Sequence, residues 1–286
     1  MGDIVVGVDG SEPSAEALRW AAREADARGA RLVAVLAWGL FDQYHADGEP
    51  RFDPAYDEAA ADAALAAYVD RALGAERPGE VVRRPVCDRP APGLLAAAAG
   101  ADLLVVGARG LGGFRGLLLG SVSQHCLHHA SGPIAVVRGG AAGDGRVVVG
   151  VDGSEPSEAA LRWAVADAAA RGWRVEAVHA WEMAVPCGPA AAYDVPAVEA
   201  AARRMVDGMV GAVAGDGHPG VPVTATVIAH GPVAGVLRVA DGADLIVVGR
   251  RGLGGFGRLL LGSVSDHVVR HADTTVVVVP GAQPST

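Results

Sequence analysis

The chain has 286 residues, about half of them apolar and about a fifth charged, which suits two globular domains of ordinary size and excludes a disordered chain. Its formal net charge of −9 repels phosphate backbones at long range and argues against a broad nucleic-acid surface, although local N–H groups can still hold a small anion. No apolar run reaches the roughly 18 residues needed to span a bilayer, and the opening MGDIVVGVDGS lacks the basic and apolar regions of a signal peptide.

In chain order, Ile4–Val8 is apolar and rich in β-branched residues, so it reads as a buried strand. Asp9-Gly10-Ser11 is a turn, and Pro13 suits the first turn of a helix that runs to about Arg28, with Gly29 as its C-terminal cap. Leu32–Ala37 is a second strand. Residues 39–54 read as a loop, and a second helix is expected over Pro54–Leu73. Val81–Val86 is a third strand, and its Arg83-Arg84 pair places it near a sheet edge. A short helix over Pro92–Gly100, a buried strand over Leu103–Val106, a Gly-rich loop, a helix over Ser121–Ala130 and a strand over Ile134–Val137 complete the unit.

The same order then recurs. VVGVDGSEPS stands at 5–14 and again at 148–157, and ADLLVVGARGLGGFRGLLLGSVS at 101–123 is matched by ADLIVVGRRGLGGFGRLLLGSVS at 243–265. Asp9 corresponds to Asp152 and Gly107 to Gly249, so one residue is lost between the two blocks. The chain is a tandem duplication. Domains are expected at 1–139 and 146–281, joined by the glycine-rich stretch 139–145. Strands alternating with helices imply two doubly wound domains, each a five-stranded parallel sheet with helices on both faces. Such sheets bind ligands beyond the carboxyl ends of their strands, at the point where the strand order reverses. The last strands, Ile134–Val137 and Val276–Val279, are expected at sheet edges, where unpaired backbone groups favour assembly.

Each half carries the pattern Gly-x2-Gly-x9-Gly-Ser, from Gly107 to Ser121 and from Gly249 to Ser263. Glycines let a ligand approach the backbone, successive N–H groups can form an anion nest, and the helix start adds partial positive charge. The Ser121 hydroxyl and the Arg109 guanidinium can donate to a phosphate, as can Ser263, Arg250 and Arg251. A dinucleotide fingerprint would follow the first strand, where VDGSEPS stands instead, and no Gly-Lys-Ser/Thr loop is present.

These motifs resemble the universal stress protein family in its tandem, ATP-binding form, and the resemblance covers nearly all of both halves. It implies ATP, with or without Mg2+, between the first and fourth strands of each half. Gly7 and Asp9 would then line the adenosine end, with Ala37 meeting adenine through its backbone. Gly107, Arg109, Gly110, Leu111, Gly112, Gly113, Gly120, Ser121 and Val122 would hold the phosphates. The matching residues are Gly150, Asp152, Ala180, Gly249, Arg250, Arg251, Gly252, Leu253, Gly254, Gly255, Gly262, Ser263 and Val264. It further implies a homodimer, a regulatory protein partner of unknown identity and a role in the stress response, without an enzymatic activity of its own.

Other chemistry has less support. His125 and His129, and likewise His267 and His271, are four apart on expected helices, but no further ligands are evident, so exposed helix faces and no metal are expected. Cys87, Cys126 and Cys187 show neither metal-ligand nor CxxC spacing, as expected of a cytoplasmic protein. Ser11 and Ser154 lack a nearby histidine, and Trp20 and Trp163 read as core residues. The alternative activity is a slow ATPase, which needs a water-positioning group near the γ-phosphate; the loops supply Arg and Ser but no carboxylate. The halves also differ: Ala108 stands opposite Arg250, and Leu36 opposite His179, so the second half is expected to bind ATP more tightly.

Overall fold

A computed structural model describes residues 2–40, 42–48, 51–74, 80–110, 118–139, 143–182, 194–214, 218, 220–253 and 260–281. Leu111, Gly112, Gly113, Gly254 and Gly255, expected above at the phosphates, and Cys187 lie outside these residues. The chain divides into two compact units, Met1–Gly139 and Gly140–Thr286.

Unit 1 runs β1 (Asp3–Val8), α1 (Glu12–Arg28), β2 (Arg31–Trp38), α2 (Glu58–Leu73), β3 (Val81–Cys87), α3 (Pro90–Ala97), β4 (Leu103–Gly107), α4 (Ser121–His129) and β5 (Ile134–Val137). Its strands lie in the order β3-β2-β1-β4-β5 and are parallel throughout. The first three strands progress in one direction, and the chain then crosses to lay β4 on the other side of β1. The β1/β4 boundary is therefore the switch point. α1 and α2 pack together on one face and α3 with α4 on the other. The sheet core is apolar, with Ile4, Val6, Leu103, Val105 and Ile134 wholly buried.

Unit 2 repeats this with β6 (Arg146–Gly150), α5 (Glu155–Arg171), β7 (Arg174–Trp181), α6 (Val195–Ala214), β8 (Val223–Ala229), α7 (Pro232–Val239), β9 (Leu245–Gly249), α8 (Ser263–His271) and β10 (Thr275–Val279). Its order is β8-β7-β6-β9-β10, again all parallel. β5 and β10 each stand last in the order of their own unit, and β3 and β8 stand at the other end.

The helix starts follow local chemistry. Ser11 caps α1 by accepting the Ser14 N–H at 3.3 Å, and Gly29 ends it in the left-handed region at φ +61°. α2 begins at Glu58, later than the expected Pro54. Asp57 is extended and accepts the Ala60 N–H at 2.9 Å, while Asp53 takes the Ala55 N–H at 2.8 Å and holds a turn before it. α3 begins two residues earlier than expected, because Pro90 and Pro92 both fit a first helical turn. Trp20 is in the core as expected, whereas Trp163 is only half-buried.

Candidate functional site

In both units the turn after the first strand is built by one carboxylate. Asp9 Oδ1 accepts the Ser11 N–H at 3.1 Å and the Ser11 hydroxyl at 2.6 Å. Asp152 Oδ1 accepts the same groups of Ser154 at 3.0 and 2.5 Å. The two serines are helix caps, which accounts for their presence in the turn. In unit 1 the Asp9 N–H donates to Ser14 Oγ at 3.3 Å, and Ser14 Oγ lies 2.5 Å from the Tyr68 hydroxyl. Burial pushes the Tyr68 hydroxyl well above its ordinary pKa. Tyr44 covers Gly10 beside it, so closely that a Cβ at Gly10, where φ is +88°, would fall 2.0 Å from the ring.

The Oδ2 oxygen of each aspartate faces the Gly-rich loop. A Cβ at Gly110 would lie 2.2 Å from Asp9 Oδ2, and one at Gly252 would lie 2.2 Å from Asp152 Oδ2. In unit 2 the Leu253 N–H also donates to Asp152 Oδ2 at 2.9 Å. The fold thus brings the β1 turn and the loop after β4 together at the switch point, and does so twice.

The loop ends are tied down. Ala108 N–H donates to the Val137 carbonyl at 3.1 Å, and Gly120 N–H returns to the Ala108 carbonyl at 2.8 Å. Arg250 and Gly262 make the corresponding bonds in unit 2, to Val279 at 2.7 Å and to Arg250 at 2.8 Å. Ser123 and Ser265, which are not among the expected site residues, donate to the Gly107 and Gly249 carbonyls at 2.6 Å. Their signal was visible as the second serine of Gly-Ser-Val-Ser in both copies. Gly120 and Gly262 are extended N-caps without a side-chain bond, so the first-turn N–H groups of α4 and α8 have no side-chain cap. Ser121 and Ser263 open these helices exposed, with Val122 and Val264 partly buried behind them.

The other expected site residues have structural partners. Gly107 and Gly249 face the first turns of α1 and α5, where a Cβ would lie 2.7 Å from the Pro13 carbonyl oxygen and 2.7 Å from the Pro156 carbonyl carbon. Gly7 packs under Leu94 of α3, and Gly150 under Val236 of α7. Ala37 and Ala180, at the ends of β2 and β7, let α3 and α7 approach: a Cβ at Gly235 would be 2.5 Å from that of Ala180. Arg109 and Arg251 are exposed, while Arg250 is partly buried. Burial, and then the neighbouring Arg251, lower the Arg250 pKa from its ordinary value. His179 Nδ1 lies 2.8 Å from the Val151 carbonyl oxygen, at the carboxyl end of β6 beside Asp152.

Burial alone raises the Asp152 carboxyl, but bonds from Ser154, Leu253 and Ser157 outweigh it and hold the pKa below the usual carboxylate range. With a native pKa below the unfolded value of about 3.9, the contribution to stability is present above that pH and is lost as pH falls through the native pKa. The Leu253 amide resonance is therefore expected to stay constant from neutral pH down to about 5 and to titrate with a midpoint below about 3.9. A midpoint above that value would show that the carboxylate is not held by this bond.

The arrangement defines a doubly wound α/β domain, present twice, with an aspartate turn and a Gly-rich loop converging at the switch point. The family model described as Universal stress protein family matches residues 1–138 and 145–280, and the chain belongs to that family in a tandem form. A universal stress protein of Mycolicibacterium smegmatis is 34% identical over 296 residues, covering 96% of each chain. One from Mycobacterium tuberculosis is 32% identical over 289 residues, covering 96% of this chain and 95% of the relative. The crystal structure of a universal stress protein from Archaeoglobus fulgidus shares the fold, with a TM-score of 0.62 at 20% identity over 99% of this chain and 97% of that one. Among the described residues no helix is long and apolar enough to cross a membrane.

Proposed function

We propose that each half binds one ATP beyond the carboxyl ends of β1 and β4, or of β6 and β9, and that occupancy biases assembly or partner choice in a stress response. The observation that carries this reading is the convergence of Asp9 on Gly110 and of Asp152 on Gly252 and Leu253. A carboxylate beside a glycine-lined backbone suits ribose hydroxyls, which donate to it. The first turns of α4 and α8, uncapped by side chains, suit phosphates, and Arg109, Arg250 and Arg251 add charge. The aspartates are already committed to their turns and loop, and no water-positioning base is evident among the described residues, so binding rather than turnover is the reading. The same reading includes a homodimer that meets a regulatory protein in the cytoplasm, the compartment in which free thiols such as Cys126 stay reduced.

The test is calorimetric titration of the purified chain with ATP, after denaturing extraction and mass spectrometry of any co-purified nucleotide. Two sites per chain are expected. No bound nucleotide and no heat of binding would overturn the reading, and single-turnover release of phosphate would replace it with the slow ATPase.

The two sites are expected to differ. Arg250 adds a guanidinium where unit 1 has Ala108, and one charge-assisted contact is worth about 1 kcal/mol or more, roughly fivefold in affinity. In a Gly110→Val background, which isolates the second site, Arg250→Ala should weaken ATP binding by about that factor and reduce its salt dependence. An unchanged affinity would place the Arg250 charge away from the ligand.

A further inference from the structure

The exposed side of α8 carries a feature that the nucleotide reading does not use. His267 and His271 are one helical turn apart, both exposed, with their rings within 10° of parallel and centroids 6.0 Å apart. His267 Nδ1 lies 2.8 Å from the Ser263 carbonyl oxygen, and His271 Nδ1 lies 2.8 Å from the His267 carbonyl oxygen. A carbonyl only accepts, so each Nδ1 carries the proton. In the neutral ring the lone pair is then on Nε2, at the far side of each imidazole from the helix backbone. Metal-ligating histidines have this arrangement: one nitrogen donates to a backbone carbonyl and so fixes the tautomer and ring orientation of the other. Two imidazoles on one cation, with bonds of about 2.0–2.1 Å, place their centroids roughly 5 Å apart and hold the metal in the plane of both rings, so the near-parallel pair must close by about 1 Å and turn until the two Nε2 lone pairs converge. Solvent-facing side chains can make that adjustment. The flanking charges balance, since Arg270 Nε is bonded to Asp266 Oδ2 at 2.9 Å.

We propose that the His267–His271 face of α8 is a bidentate imidazole site for a borderline divalent transition-metal cation such as Ni2+, Cu2+ or Zn2+, with its remaining coordination positions open to water or to a donor from another molecule. Imidazole nitrogen selects these ions over Mg2+ and Ca2+, which take oxygen ligands. α4 carries a second version of the face. His125 and His129 are exposed and stacked at 4.2 Å, and His129 Nδ1 lies 2.9 Å from the His125 carbonyl oxygen. Two donors make an open site rather than a closed structural one, and the site stands whether or not the chain binds nucleotide.

The test uses tag-free full-length protein carrying His125→Gln and His129→Gln, so that only the α8 pair remains. Calorimetric titration with NiCl2 should show one site per chain that a hundredfold excess of MgCl2 does not displace. Adding either His267→Gln or His271→Gln should weaken Ni2+ binding at least tenfold, with unchanged far-ultraviolet circular dichroism. One equivalent of Cu2+ should give an electron paramagnetic resonance spectrum with two imidazole nitrogens, falling to one in either single variant. Ni2+ binding that survives both substitutions, that Mg2+ displaces, or that is absent at millimolar metal would overturn the proposal.

Discussion

A Gly252→Val variant is expected to bind one ATP per chain where two are proposed for the native protein. The new Cβ would stand 2.2 Å from Asp152 Oδ2 and 3.3 Å from Cγ. The carboxylate cannot simply turn away, because its other oxygen is held by the Ser154 N–H at 3.0 Å and the Ser154 hydroxyl at 2.5 Å. The loop must therefore lift, which breaks the Leu253 N–H bond to Asp152, a contact to a charged group worth about 1.5–3 kcal/mol. The two β-branched methyls of valine enlarge the displacement at the point where ligand and backbone are to meet. Gly110→Val should do the same to the first site through Asp9, since the Cβ distance there is also 2.2 Å. The measurement is calorimetric stoichiometry, with thermal unfolding as the check that each variant is folded. A count of two in either variant would show that the Asp–Gly contact is not part of a nucleotide site.

Gly249→Ala is expected to cost stability rather than specificity. Its Cβ would lie 2.7 Å from the Pro156 carbonyl carbon, 2.8 Å from its oxygen and 2.9 Å from the Ser157 nitrogen. These are backbone atoms of the first turn of α5, so no rotamer change relieves the contact and the helix must back away from β9. Overpacking of this kind costs about 1–3 kcal/mol, and a rigid neighbour places it at the upper end. The unfolding midpoint should fall by roughly 5–10 °C. Gly107→Ala should behave alike, against the Pro13 carbonyl oxygen at 2.7 Å. Gly208, inside α6, has nothing within 4 Å of its Cβ position, so Gly208→Ala should instead stabilise by about 0.5–1 kcal/mol. If Gly249→Ala melted with the native protein, the close approach of β9 and α5 would be wrong.

The tandem organisation was legible from the residues alone. Two long matched blocks in the same order leave no other reading, and runs such as Leu103–Val106 and Leu245–Val248 are apolar because both faces of a parallel strand are covered. The helix cap at Gly29 was equally local. A boundary such as the start of α2 was not, because Pro54 satisfies a helix start as well as a turn, and the turn formed by Asp53 and Asp57 won.

Within the site, sequence picked out the aspartate turn and the Gly-rich loop as two separate motifs but could not show that they touch. Asp152 and Leu253 are 101 residues apart, and only the crossover that lays β9 beside β6 makes them neighbours. The same holds for why each glycine is a glycine. All of them suit a phosphate-binding loop when read in a line, yet Gly249 is pressed against a helix backbone and Gly252 against a carboxylate. At Gly249 and Gly252 the glycine records that space is denied to a Cβ. What denies it comes from a distant part of the chain, and the order in which strands are laid into the sheet decides which part that is.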